Sequence, residues 1–287
     1  MKQFANLCGN TPLVKISDRV YGKLETYNPT GSVKDRMISY VVQKAIDRGE
    51  INDETVLCDA TSGNTGIALS SVAANLGLEC VIFMPKNMSV ERKQMMSVYG
   101  AQIVDAPDDD FARAIEMRDE YLSSNISSWS PKQFSNPDNI ECHLTTTAPE
   151  IMRNVSDLGL SWGAFIHGSG TGGTIEGVRQ FVREKIPSTV VLMVQPAESP
   201  HGIQGIADGK EFLARDKDMD GVIKIKTSVA IRRAQEFAKQ TGILVGISAG
   251  ANIEASLQWE RDTRGADDVI VTMLCDRGER YMSVFDR

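Results

Sequence analysis

Four short polar clusters hold the residue types that could do chemistry, and each sits at a turn. The first is Asn28-Pro-Thr-Gly-Ser-Val-Lys-Asp-Arg36. Pro29 and Gly31 force a turn. Ser32 can cap a following helix whose apolar face is Ile38, Val41, Val42, Ala45 and Ile46, which puts Lys34 in its first turn. The positive end of a helix dipole disfavours a cation there, lowers the amine's pKa and favours a neutral nucleophile. A solvated surface lysine is the ordinary alternative. The second cluster, Thr61-Ser62-Gly63-Asn64-Thr65-Gly66, gathers hydroxyls, an amide and backbone N–H groups at a helix start. It reads either as an anion site for a carboxylate or phosphate or as a capped polar turn.

The third cluster, Gly168-Ser-Gly-Thr-Gly-Gly-Thr174, again joins a strand to a helix. Its glycines permit close backbone approach, and Thr171 and Thr174 add hydroxyls, so it predicts a phosphate cradle. Gly168, Gly170 and Gly173 also match a dinucleotide pattern. That pattern wants an acidic residue at the end of the next strand. Here Val190 to Val194 leads into Gln195-Pro196, with Glu198 beyond the proline, which weakens the nicotinamide reading. The fourth cluster, Gly246-Ile-Ser-Ala-Gly-Ala251, places the neutral hydroxyl of Ser248 at a helix start, where simple capping is the local alternative. One amine, one phosphate cradle, one anion loop and one neutral hydroxyl together fit pyridoxal 5'-phosphate. Lys34 would take the aldehyde, Gly170 to Thr174 the phosphate and Ser248 the ring nitrogen. The 61–66 loop would take an amino-acid carboxylate.

The elements that must hold these turns alternate along nearly the whole chain. Apolar runs at 56–60, 80–84, 101–104, 164–166, 190–194, 243–245 and 269–273 predict strands. Helical patterns cover 67–76, 89–99, 112–122, 174–185, 229–240 and 251–259, the third preceded by the acidic run Asp108 to Asp110. This predicts α/β architecture with mostly parallel sheets, which bind ligands beyond the carboxyl ends of their strands. A break in patterning near Pro131 to Asn139 suggests a domain crossing.

Composition narrows the classes. Apolar residues make up 41% of 287, ordinary for a globular chain of one large or two small domains. With 31 Lys+Arg against 38 Asp+Glu, the net charge of -7 and the lack of a basic run speak against nucleic acid and anionic membrane partners. No apolar stretch reaches the ~18 residues of a membrane helix, and the N-terminus has no signal-peptide core, so a cytoplasmic protein is expected. The five cysteines are dispersed with no CxxC pair and the three histidines lie far apart, so no disulfide framework and no metal site is expected.

The motifs in their order resemble the cysteine synthase family, the O-acetylserine sulfhydrylases of the tryptophan-synthase-β fold. The likeness runs from Gly9-Asn-Thr-Pro-Leu-Val14 through the 28–36 and 61–66 clusters to Met84-Pro-Lys-Asn-Met-Ser-Val-Glu-Arg92. It continues through Gln133-Phe-Ser-Asn-Pro137, Thr145-Thr-Thr-Ala-Pro-Glu150 and the 170–174 loop to Cys275-Asp-Arg-Gly-Glu-Arg-Tyr281. Residues 136–139 and Cys275 to Gly278 are nearer the B isozyme, and His201 to Ile206 nearer the A isozyme. His167 before the glycine loop and the charged stretch Asp208 to Gly221 depart from the pattern.

The resemblance implies a two-domain fold of the type II class of pyridoxal-phosphate enzymes. A smaller mobile domain is expected at 36–139, and a larger one, at 1–35 plus 140–287, carries the phosphate loop. It implies that Lys34 carries the cofactor and serves as general base, and that Asn64 bonds the cofactor's phenolic oxygen. Thr61, Ser62 and Thr65, with Gln133, would hold the substrate carboxylate, with Asn64 beside them. Gly170, Thr171, Gly172, Gly173 and Thr174 would bind phosphate, Ser248 the pyridine nitrogen, and Cys275 would be a further cofactor contact. The implied reaction makes L-cysteine from O-acetyl-L-serine and a sulfur donor. Cystathionine β-synthase or serine/threonine dehydratase activity is the alternative on the same fold. A homodimer is expected, with serine acetyltransferase as a candidate docking partner.

Overall fold

The computed structural model describes residues 2–61, 63–88, 90–107, 110–207 and 211–286. Ser62 of the anion loop, Ser89 at an expected helix start, Asp108 and Asp109, and residues 208–210 of the charged stretch therefore lie outside the described residues. The chain forms two compact units, Met1–Cys8 with Asn28–Asp138, and Gly9–Tyr27 with Asn139–Arg287.

The first unit holds α1 (Lys2–Leu7), α2 (Lys34–Asp47), α3 (Asn64–Leu76), α4 (Val90–Val98) and α5 (Phe111–Ser124). Its four-stranded sheet has the order β5 (Gln102–Ala106), β4 (Cys80–Pro85), β3 (Val56–Ala60), β6 (Ser128–Trp129), all parallel. Side chains alternate across a strand. Leu57, Ile82 and Met84 therefore pack with Met37 and Ile38 of α2 and Ile67 and Leu69 of α3. Cys58, Ala60, Val81 and Phe83 instead meet Ala114 of α5. Asp110 caps α5, its carboxylate accepting from the Arg113 N–H at 2.8 Å. Residues 28–35 belong to this unit, where the sequence reading put them with the larger domain. They run straight into α2, and the Cys8 thiol donates to the Asp35 carbonyl at 3.6 Å, so the segment is held to the unit of the helix it starts.

The second unit is built on a six-stranded sheet of order β1 (Leu13–Lys15), β2 (Val20–Leu24), β10 (Val269–Leu274), β7 (Trp162–Gly168), β8 (Val190–Pro196), β9 (Gly221–Ile225). Only β1 pairs antiparallel, as the last hairpin strand at one edge. The helices are α6 (Asp138–Cys142), which begins at the unit boundary, α7 (Ala148–Asp157), α8 (Gly173–Lys185), α9 (Thr227–Thr241), α10 (Ile247–Asp262) and α11 (Met282–Phe285). A π-helical turn, His143–Thr147, joins α6 to α7.

The expected strand at 243–245 is not one. Gly242 ends α9 at φ 74° and α10 starts at Ile247, so Val245 makes only a single antiparallel bridge to Arg277. The expected strands also did not include β2, which carries a lysine. Lys23 is fully buried, with its ammonium 3.1 Å from Glu150 and 2.9 Å from the Asn154 amide oxygen. A buried charge of this kind survives only when paired.

Asp59 is a second buried charge, at the end of β3. Its Oδ1 accepts from Arg118 of α5 at 3.4 Å and from Ser130 at 3.3 Å, while Oδ2 is unpartnered among the described residues. Burial pushes this carboxyl from its ordinary 3.8 up to about 6, against the pull of Arg118. The folded chain therefore holds a proton that the unfolded chain releases between those two values. Stability falls as pH rises through that window and levels above it. Asp59→Asn should remove this slope. The unfolding free energy of the variant minus that of the parent should rise by on the order of 1–3 kcal/mol from about pH 4 to 7 in urea titrations. A pH-independent difference would contradict the assignment.

Candidate active site

In the first unit, the turn before Lys34 is stitched from within. Gly31 adopts φ 85° and donates to the Asn28 carbonyl at 2.8 Å. Asp35 is fully buried and reaches back to the Thr30 N–H at 2.8 Å and to the Thr30 hydroxyl. The helix starts one residue later than a Ser32 cap requires, yet the Ser32 hydroxyl accepts from the Lys34 N–H at 3.3 Å. Lys34 is half-buried in the first turn of α2. In the 61–66 loop the Thr61 hydroxyl accepts from the Gly63 N–H at 3.3 Å. Asn64 and Thr65 open α3, and the Thr65 hydroxyl donates to Gln133 Oε1 at 2.7 Å. This bond brings together two residues 68 apart in sequence, both buried. Gly66 has a local reason: a Cβ there would stand 2.7 Å from the Thr61 methyl.

In the second unit, β7 delivers the glycine turn to the N-terminus of α8. Gly172 is the N-cap, at φ 89°. Packing requires these glycines as much as any ligand does. A Cβ would lie 2.4 Å from the Gly205 carbonyl at Gly170, 2.4 Å from the Ala214 nitrogen at Gly172 and 2.1 Å from the Asn139 side chain at Gly173. The segment holding Gly205 bonds to the loop, Ala207 N–H to the Ser169 carbonyl at 2.9 Å. It also runs beside Ser248, whose Oγ is 3.5 Å from where a Gly205 Cβ would stand. The loop and Ser248 thus flank one short stretch of chain.

Sequence reading missed Asn252, which ties this end of the sheet together. It lies one turn after Ser248 on α10 and is fully buried. Its Oδ1 accepts from the Gly168 N–H at 2.8 Å, and its Nδ2 donates to the Met273 carbonyl at 2.9 Å and to Cys275 Sγ at 3.5 Å. His167 closes the same cluster, its Nδ1 3.2 Å from Nδ2 and its ring against Phe165. The available signal was a polar residue four positions after Ser248 on an otherwise small and apolar face.

The donor set fits a phosphate monoester beside a heteroaromatic ring. Among the described residues, the N–H groups of Thr171, Gly172 and Thr174 find no protein acceptor. They lie at a helix N-terminus, where the dipole favours an anion. Glu176, the acid in that first turn, is neutralised by an Arg179 fork at 2.7 and 2.8 Å. Ser248 is 5% exposed and its hydroxyl has no protein partner among the described residues. A buried hydroxyl without a partner is costly unless a ligand satisfies it.

Parallel sheets with glycine turns at their carboxyl ends, an amine at one helix start and an unspent hydroxyl at another, define a type II pyridoxal-phosphate fold. A family model described as pyridoxal-phosphate dependent enzyme matches residues 5–276, and the chain belongs to that family. This answers the nicotinamide alternative. Cysteine synthase B of Campylobacter jejuni is 37% identical over 298 residues, spanning 98% of this chain and 97% of its own. Among solved structures, a hydrogen sulfide-producing enzyme of Fusobacterium nucleatum superposes with a TM-score of 0.93 at 36% identity, covering 100% of this chain and 91% of its own. An O-acetylserine dependent cystathionine beta-synthase from Helicobacter pylori gives 0.90 at 32%, covering 98% and 96%. No helix among the described residues is long and apolar enough to cross a membrane, and no metal-binding cluster of His, Cys, Asp or Glu occurs among them.

Two alanine substitutions separate packing from backbone conformation at left-handed glycines. Gly77→Ala meets φ 73° but open space, and should cost about 1–2 kcal/mol. Gly172→Ala adds a clash with the 213–214 backbone and should cost about 2–4 kcal/mol in chemical unfolding of the cofactor-free protein. Equal costs would mean that the backbone behind Gly172 yields freely.

Proposed function

We propose that this enzyme makes L-cysteine by β-replacement, from O-acetyl-L-serine or a similarly activated serine and sulfide or another sulfur donor. The observation that carries the reading is the end-to-end likeness to cysteine synthases at 37% identity, with every motif residue assigned to chemistry present. When bound, pyridoxal phosphate supplies an electron sink that makes the substrate's Cα proton acidic. Lys34 holds the cofactor between turnovers through its ε-amine. With the cofactor bound, the free ε-amine would take the Cα proton and later return it. Acetate leaves from Cβ and the sulfur nucleophile adds there.

Thr61, Ser62 and Thr65, with Gln133, receive the substrate carboxylate at the start of α3. The Thr65–Gln133 bond at 2.7 Å supports that grouping. Asn64 would bond the cofactor's phenolic oxygen. Gly170, Thr171, Gly172, Gly173 and Thr174 would take the phosphate, Ser248 would meet the pyridine nitrogen, and Cys275, just after β10, would be a further cofactor contact. A neutral hydroxyl at that nitrogen does not hold it protonated. With the cofactor bound, such a partner would favour loss of the Cβ leaving group over transamination. The same reading has the enzyme working as a cytoplasmic homodimer, with serine acetyltransferase as a candidate partner.

Cystathionine β-synthase or dehydratase activity is the second reading, favoured by the likeness to the Helicobacter enzyme. An acceptor comparison on O-acetylserine, O-phosphoserine and serine, with sulfide, thiosulfate, homocysteine or water, separates the two. Cysteine from sulfide should dominate, and dominance of homocysteine or water would overturn the proposal. Lys34→Ala should lose the visible absorption of the holoenzyme and at least ~10²–10⁴ of turnover. Turnover near the parent's would remove Lys34 from the chemistry. Ser248→Asp should suppress cysteine formation or divert it to transamination, and unchanged rates and products would count against the role of the neutral hydroxyl.

A further inference from the structure

The wall behind the glycine loop contains two side chains that the β-replacement chemistry does not use. Asn139 lies on α6, and His143, four residues later, starts the π turn that ends at Thr147. π turns recur at functional sites because they re-aim side chains. Here α8 is pressed against that stretch. A Cβ at Gly173 would stand 2.1 Å from Asn139 Oδ1, and one at Gly177 would stand 2.5 Å from the Ile140 carbonyl.

A hydroxyl offers two lone pairs and one proton. On Thr171 both lone pairs are filled by the protein: Asn139 Nδ2 donates at 3.1 Å and the Gly173 N–H at 3.3 Å. Only the O–H is left over. On Thr174 the same result comes through a relay. His143 Nε2 is 3.1 Å from Thr174 Oγ1, and Nδ1 is 2.8 Å from Thr147 Oγ1. Thr147 is fully buried, and among the described residues its hydroxyl has no other partner. A buried hydroxyl must donate, so its proton goes to Nδ1. The neutral ring then carries its own proton on Nε2 and donates to Thr174 Oγ1. Again the O–H is left over, here with one lone pair beside it.

We propose that Asn139 and His143 are positioning residues for the cofactor phosphate. With the Gly173 N–H, they occupy lone pairs on Thr171 and Thr174, both on Thr171 and one on Thr174, so that the O–H of each hydroxyl is turned outward to donate. A phosphate monoester dianion, which accepts hydrogen bonds and offers none, is the ligand such a pair selects. The inference rests on reading 170–174 as the phosphate loop, and the test separates the two claims.

Cofactor-free protein is titrated with pyridoxal phosphate, and the bound phosphate is followed by phosphorus NMR. Thr171→Val and Thr174→Val should each weaken binding about tenfold. Binding at the parent's affinity in both would overturn the phosphate-loop reading itself. His143→Met removes the Nε2 donor and should also weaken binding about tenfold and move the phosphorus resonance. His143→Gln, whose amide nitrogen still reaches Thr174, should restore affinity and resonance, which a merely space-filling histidine would not require. Asn139→Asp keeps the shape but replaces a donor by an acceptor, and should weaken binding at least tenfold. If the threonine variants weaken binding while Asn139→Asp and His143→Met bind as the parent does, the positioning role is wrong and the loop assignment stands. Should His143→Met fail to fold, Asn139→Asp decides alone, and binding at the parent's affinity overturns the proposal.

Discussion

The close approach of the α8 N-terminus to the chain behind it constrains everything around the glycine loop of the second unit. Gly172 turns left-handed against the Ala214 backbone, Gly173 leaves room only for Asn139, and Gly177 leaves room only for the 140–144 stretch. At Gly172 and Gly177 no side chain larger than hydrogen fits without moving backbone, and at Gly173 the Asn139 side chain would have to give way. That contact fixes where the first N–H groups of α8 stand, and it sets the two threonine hydroxyls against their partners. The same economy holds at α10, where Gly250 admits the Ala230 carbonyl and so lets α9 lie close beneath Ser248.

The first unit solves a different problem, which is to hold polar loops at the ends of an apolar parallel sheet. It does so with buried acids that face inward to the turns. Asp35 folds the 28–35 turn onto itself, and Asp59 joins β3, α5 and the segment after β6. Asp59 accepts a poor bargain by carrying an unpartnered oxygen, and its raised proton affinity follows from that. Two residues beyond it begins the loop whose Thr65 bonds Gln133. Rigidity near the loop thus comes from polar groups that the hydrophobic core alone would not hold.

The chemistry-bearing loops could be read from the chain because they are local: a turn residue, a capping hydroxyl and a helix start lie within a few positions of one another. The alternation of apolar runs and helical faces gave the α/β class for the same reason. The misreadings were also physical. β2 was not among the expected strands, and the partners that let Lys23 be buried in it, Glu150 and Asn154, lie far along the chain. The apolar triplet 243–245 looked like a strand although two helix ends leave it room for one bridge.

What the sequence determined by itself is the inventory: one amine in a helix-starting turn, a hydroxyl-rich anion loop, a glycine cradle and a neutral serine, on a parallel α/β scaffold. What only the tertiary structure decided is which groups stand behind them. Asn252 and His143 show no motif of their own, the motif that ends at Asn139 names no partner for it, and the meaning of all three comes from hydrogen bonds spanning 84, 31 and 32 residues. Local propensity cannot encode such partners, because a hydrogen bond fixes direction only after packing has brought donor and acceptor within about 3 Å of each other.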